Sequence, residues 1–189
     1  MRILSIQGSP RKKGNSATIT KRFLEIAGER GAVIEEYRLN EMKYKACQAC
    51  YACKTKFEHC CLKDDLTPVL KALPECDMVV ISTPVYFADI SAQTKAFIDR
   101  TFSFAKPDFH NRPDPVRIPP GKKMVWIITQ EFPGDFYGDI FERYSFMFKE
   151  FAGFETYLIR GTGVEEPGEV INKPEIMAKA EEMAIKLVL

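Results

Sequence analysis

A polar stretch near the start of the chain carries side chains that could bind a phosphate. Residues 8–18 read Gly-Ser-Pro-Arg-Lys-Lys-Gly-Asn-Ser-Ala-Thr, between an apolar run at 1–7 and a helical pattern of apolar residues. The stretch is therefore predicted to join a strand to a helix, whose first N–H groups and dipole attract anions. The side chains that could contact the anion are those of Ser9, Arg11, Asn15, Ser16 and Thr18.

Spacing excludes the two most familiar phosphate loops. The triphosphate pattern needs Gly-x4-Gly-Lys, but five residues separate Gly8 from Gly14 and Asn15 stands at the lysine position. A dinucleotide fingerprint needs three glycines, and only two are present. The alternative to phosphate binding is a glycine-containing turn with Asn15 or Ser16 as an ordinary helix cap.

A second group of reactive side chains lies at residues 43–63, a cysteine-rich loop. Its spacing is C-x2-C-x2-C-x6-C, formed by Cys47, Cys50, Cys53 and Cys60, with Cys61 directly after. Closely spaced thiolates of this kind are typical of a [4Fe-4S] cluster. Three alternatives stay open: a zinc site, a redox disulfide across one C-x2-C pair, and a loop that holds no metal.

A third stretch, Pro84-Val85-Tyr86-Phe87, combines a rigid proline with two aromatic rings. Such a turn could hold a flat heteroaromatic ring, or it could be a buried turn at the edge of the sheet. A mononucleotide needs both a phosphate site and a ring site, so this turn and residues 8–18 together indicate a mononucleotide site more strongly than either does alone.

The composition limits the classes of protein. The chain has 189 residues, 27 Lys and Arg against 26 Asp and Glu, and a net charge of +1. We expect a single domain over 1–189, with no general affinity for nucleic acid or an acidic membrane. No secretory signal or membrane span is evident, so we expect a cytoplasmic protein whose cysteines are thiols or metal ligands.

Alternating patterns predict the elements that position these stretches. Strands are predicted at residues 1–7, 32–39, 77–83, 124–129 and 154–160, and helices at 17–30, 65–73, 91–104, 135–152 and 174–189. This alternation predicts an α/β fold with a parallel sheet covered on both faces, whose ligands bind at the carboxyl ends of the strands. Pro84 is expected to end the third strand, and five prolines make 105–121 an irregular excursion.

Two side-chain patterns have structural interpretations. Phe141, Tyr144, Phe148 and Phe151 form an aromatic stripe at helical spacing, which is typical of a core or an interface between subunits. Lys95 and Asp99 are spaced as an i, i+4 ion pair on a helix.

Taken together, the motifs are similar to those of a known family. Gly8-Ser9-Pro10-Arg11 with Gly14-Asn15-Ser16, then Asp64-Asp65, Pro84-Val85-Tyr86-Phe87, Lys95 and Asp99-Arg100, resemble the NADPH-dependent FMN reductases. More narrowly, the chain resembles their iron-sulfur flavoprotein branch. The resemblance covers residues 1 to about 129 well. It implies a flavodoxin-like three-layer sandwich with a five-stranded parallel sheet of order 2-1-3-4-5 and helices on both faces, bound FMN, and a homodimer or homotetramer.

The resemblance also implies a role for individual residues. It assigns the FMN phosphate to Ser9, Arg11, Asn15, Ser16, Ala17 and Thr18. It assigns the isoalloxazine ring to Pro84, Val85, Tyr86 and Phe87, and adds Thr129 and Gln130 to the same site. It makes Cys47, Cys50, Cys53 and Cys60 the ligands of a [4Fe-4S] cluster.

The implied function is an FMN-dependent oxidoreductase. Electrons would pass from a reduced nicotinamide, or a ferredoxin-like donor, to a flavin, quinone or redox protein. Because the flavin carries out the hydride chemistry, no side chain is assigned as a catalytic acid or base. Two alternatives are a non-enzymatic flavin electron carrier or redox-sensing module, and a zinc-stapled interaction domain without flavin.

Overall fold

The computed structural model describes residues 1–134 and 136–188, and a parallel sheet forms its centre. The five long strands are β1 (Arg2–Gln7), β2 (Val33–Arg38), β3 (Met78–Tyr86), β5 (Lys123–Thr129) and β6 (Glu155–Gly161). They lie in the order β2-β1-β3-β5-β6, all parallel. Counted among themselves these strands have the order 2-1-3-4-5, so the predicted fold class is confirmed.

A short sixth strand, β4 (Asp89–Ile90), was not predicted, and it explains why Pro84 does not end β3. Pro84 still pairs with Thr129 in the parallel register. Val85 and Tyr86 then pair with Ile90 and Asp89 in an antiparallel hairpin. A proline can lie within a strand where its missing N–H is not needed by a neighbour. The expectation that β3 stops at Pro84 was therefore wrong, and the strand continues two residues beyond the proline.

Helices cover both faces of the sheet. They are α1 (Asn15–Glu29), α2 (Ala52–Thr55), α3 (Leu66–Ala72), α4 (Ala92–Thr101), α5 (Asp139–Ala152) and α6 (Pro174–Leu187). Buried side chains of α1 and α6 pack on one face, and those of α3, α4 and α5 on the other. Phe23 and Phe97 are fully buried on opposite faces, each contributing about 1.5–3 kcal/mol by its burial.

Element boundaries differ from the predicted ones by a few residues. The predicted helix 91–104 ends as a 3-10 turn, Phe102–Phe104. The helix predicted from residue 135 begins at Asp139, and residues 135 and 189 of the predicted ranges lie outside the described residues. The short helix α2 within the cysteine-rich loop was not predicted, because four residues carry no periodicity.

The structural interpretations of the side-chain patterns are confirmed. In the aromatic stripe of α5, Phe148 is buried in the core and Phe141 and Tyr144 pack against it. Lys95 Nζ lies 2.6 Å from Asp99 Oδ1 on α4. The proline-rich excursion folds back on itself through backbone bonds such as Lys106 N–H to Pro115 O, at 2.8 Å. No helix in the described ranges is both long enough and apolar enough to cross a membrane.

Candidate functional site

A narrow cleft lies at the carboxyl edge of the sheet, where three of the sequence motifs meet. Its volume is about 170 Å³. The residues that line it are Ser9, Arg11, Gly14, Asn15, Ser16, Pro84, Val85, Tyr86, Thr129, Gln130, Glu131, Val164 and Glu165. The loops after β1, β3, β5 and β6 therefore form one site, as the parallel topology requires.

The loop after β1 rests closely on the start of α4. The Gly8 N–H donates to Ser82 O at 2.8 Å, and the Ser91 hydroxyl donates to Gly8 O at 2.8 Å. A Cβ at Gly8 would lie 1.8 Å from Thr94 Oγ1, so a side chain there requires neighbouring atoms to move. The chain can approach α4 this closely only because residue 8 is a glycine.

Hydrogen bonds within the chain already engage two of the predicted phosphate contacts. Asn15 Nδ2 donates to Glu166 O at 3.0 Å, and its Oδ1 accepts from Val170 N–H at 3.1 Å. The Thr18 hydroxyl donates to Gly14 O at 3.1 Å. These two side chains therefore fix the start of α1 and the loop that follows β6.

Ser16 is different, because its hydroxyl is buried and has no hydrogen-bond partner among the residues that the structure describes. An unsatisfied buried hydroxyl is costly unless a ligand or water completes it. Ser16 lies in the first turn of α1, where backbone N–H groups also lack partners within the helix. The first turn of α1 therefore has the hydrogen-bond donors that an anion would need.

The turn after Pro84 forms the opposite wall. Pro84 and Val85 are half-buried, whereas Tyr86 is 41% exposed and Phe87 is fully exposed. Phe87 and Ala88 have left-handed backbones, with φ of 47° and 66°, which turn the hairpin between β3 and β4. The hairpin thus presents aromatic rings above the edge of the sheet.

Gln130 organises the third wall. Its side-chain Nε2 donates to Phe132 O at 2.9 Å and to Phe136 O at 2.7 Å, which fixes the loop after β5. Thr129 and Gln130 are buried, while Glu131 is exposed at the cleft. The buried Gln130 side chain therefore fixes the backbone of the loop that forms this wall.

The structure places nine of the twelve predicted cofactor residues in the lining of this cleft. Ala17 and Thr18 line a separate cleft on the other side of the loop, and Phe87 is not part of the lining. Val164 and Glu165 belong to the lining but were not predicted. They follow β6, so the rule that ligands bind at the carboxyl ends of strands would have located them.

A second candidate site is the cysteine-rich loop, whose thiols face one small cavity. Cys47, Cys50, Cys53, Cys60 and Cys61 all line this mainly apolar space of about 120 Å³. Cysteines that line the same cavity are not necessarily close enough together to coordinate a metal ion. Within residues 1–134 and 136–188, no group of three or more His, Cys, Asp or Glu side chains stands in an arrangement that could hold a metal ion directly. The side chains fit an iron-sulfur cluster by their chemistry, because cysteine thiolates are the usual ligands of such clusters.

The backbone of this loop is unusual on both sides of Cys50. Ala49 and Tyr51 have left-handed φ values of 50° and 56°. The Ala52 N–H and the neighbouring Cys61 thiol lower the pKa of Cys50, and the two sulfurs lie 3.6 Å apart. Cys50 is therefore predisposed to the thiolate form that a metal requires.

Sequence reasoning missed the main role of Arg100. Its guanidinium is fully buried and makes a two-pronged ion pair with Asp64, at 2.7 and 3.1 Å. Its Nε lies 3.1 Å from Cys60 Sγ. Burial alone would raise the pKa of Asp64, but hydrogen bonds from Arg100 and from the Lys45 and Leu66 N–H groups hold it below its ordinary value.

The parallel sheet order, with helices on both faces, defines the flavodoxin-like fold class. Solved structures agree with this fold. The FMN-dependent NADH-azoreductase of Bacillus anthracis, solved in complex with FMN, superimposes with a TM-score of 0.73 at 18% identity over 100% of both chains. The NAD(P)H:quinone oxidoreductase of Methanothermobacter marburgensis gives 0.72 at 18% identity, over 99% of this chain and 96% of that one.

Sequence comparison identifies the family. The family model described as NADPH-dependent FMN reductase matches residues 1–116, and the chain belongs to this family. Iron-sulfur flavoproteins are curated relatives. That of Methanocaldococcus jannaschii is 34% identical over 53% of this chain and 52% of its own length. That of Methanosarcina thermophila is 32% identical over 58% and 56%. The matches thus span about half the length of these relatives.

Proposed function

We propose that the protein is an FMN-dependent oxidoreductase that accepts electrons from a reduced nicotinamide. The observation that carries the proposal is the cleft itself. It brings Ser16, in the first turn of α1, and the Pro84–Tyr86 turn into the lining of one space. Family membership and the names of the relatives support the same cofactor.

The residues of the cleft would hold the two ends of FMN. Ser9, Arg11 and Ser16, with the N–H groups of α1, would bind the phosphate, because they combine a positive charge with hydrogen-bond donors. Asn15, Ala17 and Thr18 would act through the backbone or by fixing the helix start. Bound FMN supplies a ring that accepts a hydride at N5.

At the ring end, Pro84, Val85, Tyr86 and Phe87 would contact the isoalloxazine, and Thr129 and Gln130 would form the floor beside it. The cleft of about 170 Å³ is smaller than a site that encloses a drug-sized ligand, about 300–1,000 Å³. FMN would therefore be only partly enclosed by one chain. We infer a homodimer or homotetramer in which a second copy covers the exposed rings of Tyr86 and Phe87.

The cysteine-rich loop would add one-electron transfer. We propose that Cys47, Cys50, Cys53 and Cys60 hold a [4Fe-4S] cluster. The shared cavity, the thiol donors and the names of the curated relatives support this assignment. The acceptor would be a flavin, a quinone or a redox protein, and a ferredoxin-like protein could replace the nicotinamide as donor.

An anaerobic titration tests the proposal. Purified protein reconstituted with FMN is mixed with NADPH or NADH while the visible absorbance of oxidised flavin is followed. Bleaching by either nucleotide is the expected result. A protein that binds FMN but is bleached by neither nucleotide would be an electron carrier or a redox sensor. Failure to bind FMN would overturn the proposal and favour a zinc-stapled domain.

A separate analysis of iron and acid-labile sulfide, made on the same anaerobic preparation, tests the cluster. About four irons and four sulfides per chain are expected for a [4Fe-4S] centre. Flavin without iron would leave a plain flavin reductase. Because this assay does not use the nucleotide, the cluster and the reductase activity can fail independently.

A further inference from the structure

Arg100 connects α4 to the cysteine-rich loop through a sulfur atom. We propose that Arg100, oriented by Asp64, is a positioning residue that holds Cys60 as the fourth ligand of the cluster and stabilises the reduced cluster. This inference rests on the proposed cluster but goes beyond it. It gives a structural reason for Cys60 rather than Cys61 as the fourth ligand, and it assigns a function to a buried ion pair.

The geometry of the guanidinium gives the first argument. Its two terminal nitrogens bind Asp64, and NH1 also donates to Lys45 O at 2.7 Å. A planar group held at these points cannot rotate, so the directions of its two remaining N–H groups, one on NH2 and one on Nε, are fixed. The one on Nε points at sulfur, since Nε lies 3.1 Å from Cys60 Sγ.

Charge gives the second argument. Arg100 and Asp64 together are neutral, so Arg100 can face an anionic sulfur without leaving an unbalanced buried positive charge. Hydrogen bonds to cluster sulfurs and nearby positive charge favour the more negative, reduced state. Because the pair carries no net charge, the expected effect comes from the Nε–H hydrogen bond to Cys60 Sγ, which would raise the reduction potential of a cluster bound through Cys60.

The adjacent thiol lacks this support. Cys60 and Cys61 line the same cavity, and both spacings suit a compact cluster loop. Cys61 Sγ instead lies 3.6 Å from Cys50 Sγ. Among the described residues, the hydrogen bonds of Arg100 to sulfur involve Cys60 and not Cys61. This difference assigns the ligand role to Cys60.

The two cysteines form a matched pair for the first test. Cys60→Ala and Cys61→Ala are purified anaerobically, and iron and sulfide are counted against bound FMN. The expected result is loss of the four-iron centre in C60A and its retention in C61A. The reverse pattern, or full iron in both variants, would overturn the inference. A wild-type protein that binds FMN but no iron would instead disprove the proposed cluster.

The second test separates positioning from structural support. Arg100→Lys keeps the charge but cannot bridge Asp64 and Cys60, so the reduction equilibrium constant of the cluster should fall about tenfold. This is about 59 mV for one electron. Arg117→Gln is the control, because Arg117 bonds the same loop through a carbonyl oxygen, Cys53 O at 3.4 Å, and not through a sulfur. We expect a clearly smaller shift in that variant.

Each outcome of the second test counts. Loss of iron from R100K with FMN still bound would also support the positioning role. An unchanged potential in R100K, or an equal shift in R117Q, would overturn it. If R100K does not fold, the C60A and C61A comparison decides alone.

Discussion

The two candidate sites are built in contrasting ways. The loop at 8–18 is held by a main-chain bond from Gly8 N–H to Ser82 O in β3 and by bonds of the uncharged side chains of Ser91 and Asn15. Asn15 and Ser16 are themselves buried. The cysteine-rich loop at 43–63 is largely exposed, and charged side chains such as Arg100 and Arg117 attach it to the rest of the protein. Its backbone also contains two left-handed residues that are not glycine.

This difference indicates how much each site would depend on its ligand for its structure. The candidate phosphate site is largely built by bonds within the chain, so under the proposed function FMN would add contacts to an existing structure. The cysteine loop depends on a few side-chain anchors and gathers its thiols around a space that a ligand would fill. We expect changes in its anchors to affect folding, and changes in the phosphate loop to affect binding. The following substitutions test this division between effects on folding at the cysteine-rich loop and effects on binding at the phosphate loop.

The largest expected effect is that of Asp64→Asn. It leaves the fully buried Arg100 without its counter-charge, so the free energy of unfolding should fall by about 3 kcal/mol. Denaturant unfolding of the protein without cofactors measures this. Asp99→Asn on the same helix as Arg100 is the control. It breaks an exposed i, i+4 pair with Lys95 and should change stability by less than about 0.5 kcal/mol. Equal losses in both variants would contradict the division.

The Asp64 carboxylate should also make the stability of the protein depend on pH. Its pKa in the folded protein is below its ordinary value, so its stabilising contribution is fully present above the unfolded pKa of about 3.9. The contribution is lost as the pH falls through the folded value. The charged or titratable groups facing it are Arg100 and Tyr44. Below about pH 4 the wild type should therefore lose stability more steeply than D64N, and parallel curves would refute the assignment.

Ser16→Ala tests the other site. The change removes a buried hydroxyl that has no hydrogen-bond partner in the described part of the chain, so stability should stay within about 0.5 kcal/mol of the wild type. FMN affinity should fall about tenfold or more, the effect of losing a hydrogen bond to a charged group. Thr18→Val is the control, because its hydroxyl is bonded to Gly14 O, and it should alter affinity much less. Fluorescence titration of FMN gives both constants.

Gly8→Ala tests the packing beneath the phosphate loop. The new Cβ would lie 1.8 Å from Thr94 Oγ1 and 3.0 Å from Ser91 Oγ, so overpacking should cost about 1–3 kcal/mol. Gly28→Ala in α1 is the matched control. There the new Cβ meets only Ile34 Cδ1 at an ordinary 3.7 Å, and a gain of about 0.5–1 kcal/mol is expected. Thermal unfolding that ranks the two variants the other way would contradict this account.

The contrast between the sites also explains how far the sequence could predict them. The candidate FMN cleft is built from loops that directly follow strands, so strand patterns and the parallel-sheet rule bring Ser9, Pro84 and Thr129 together. Local signals failed where partners lie far apart along the chain. The sequence shows Arg100 only as part of the Asp99-Arg100 motif and does not predict its partners, because Asp64 and Cys60 lie 36 and 40 residues away.

The extension of β3 was missed for a related reason. Proline is a strong local signal for the end of a strand, and the sequence shows nothing that offsets it. The strand continues because Val85 and Tyr86 find antiparallel partners in Ile90 and Asp89, which a turn at Phe87 brings back. A hairpin held by a left-handed phenylalanine has no composition signature, since such turns usually contain glycine or asparagine.

The smallest expected effect concerns the strained backbone of the cysteine loop. Ala49 has φ of 50°, a conformation that costs an ordinary residue about 1–2 kcal/mol and glycine almost nothing. Ala49→Gly should relieve this strain. It should also increase the entropy of the unfolded chain, which costs about 0.4–1 kcal/mol of stability, so the free energy of unfolding should rise by less than about 1 kcal/mol. Ala46→Gly, in the same loop but without a left-handed backbone, should only lose stability. Denaturant unfolding that shows equal losses in both variants would mean that the loop of the free protein does not keep this strained conformation.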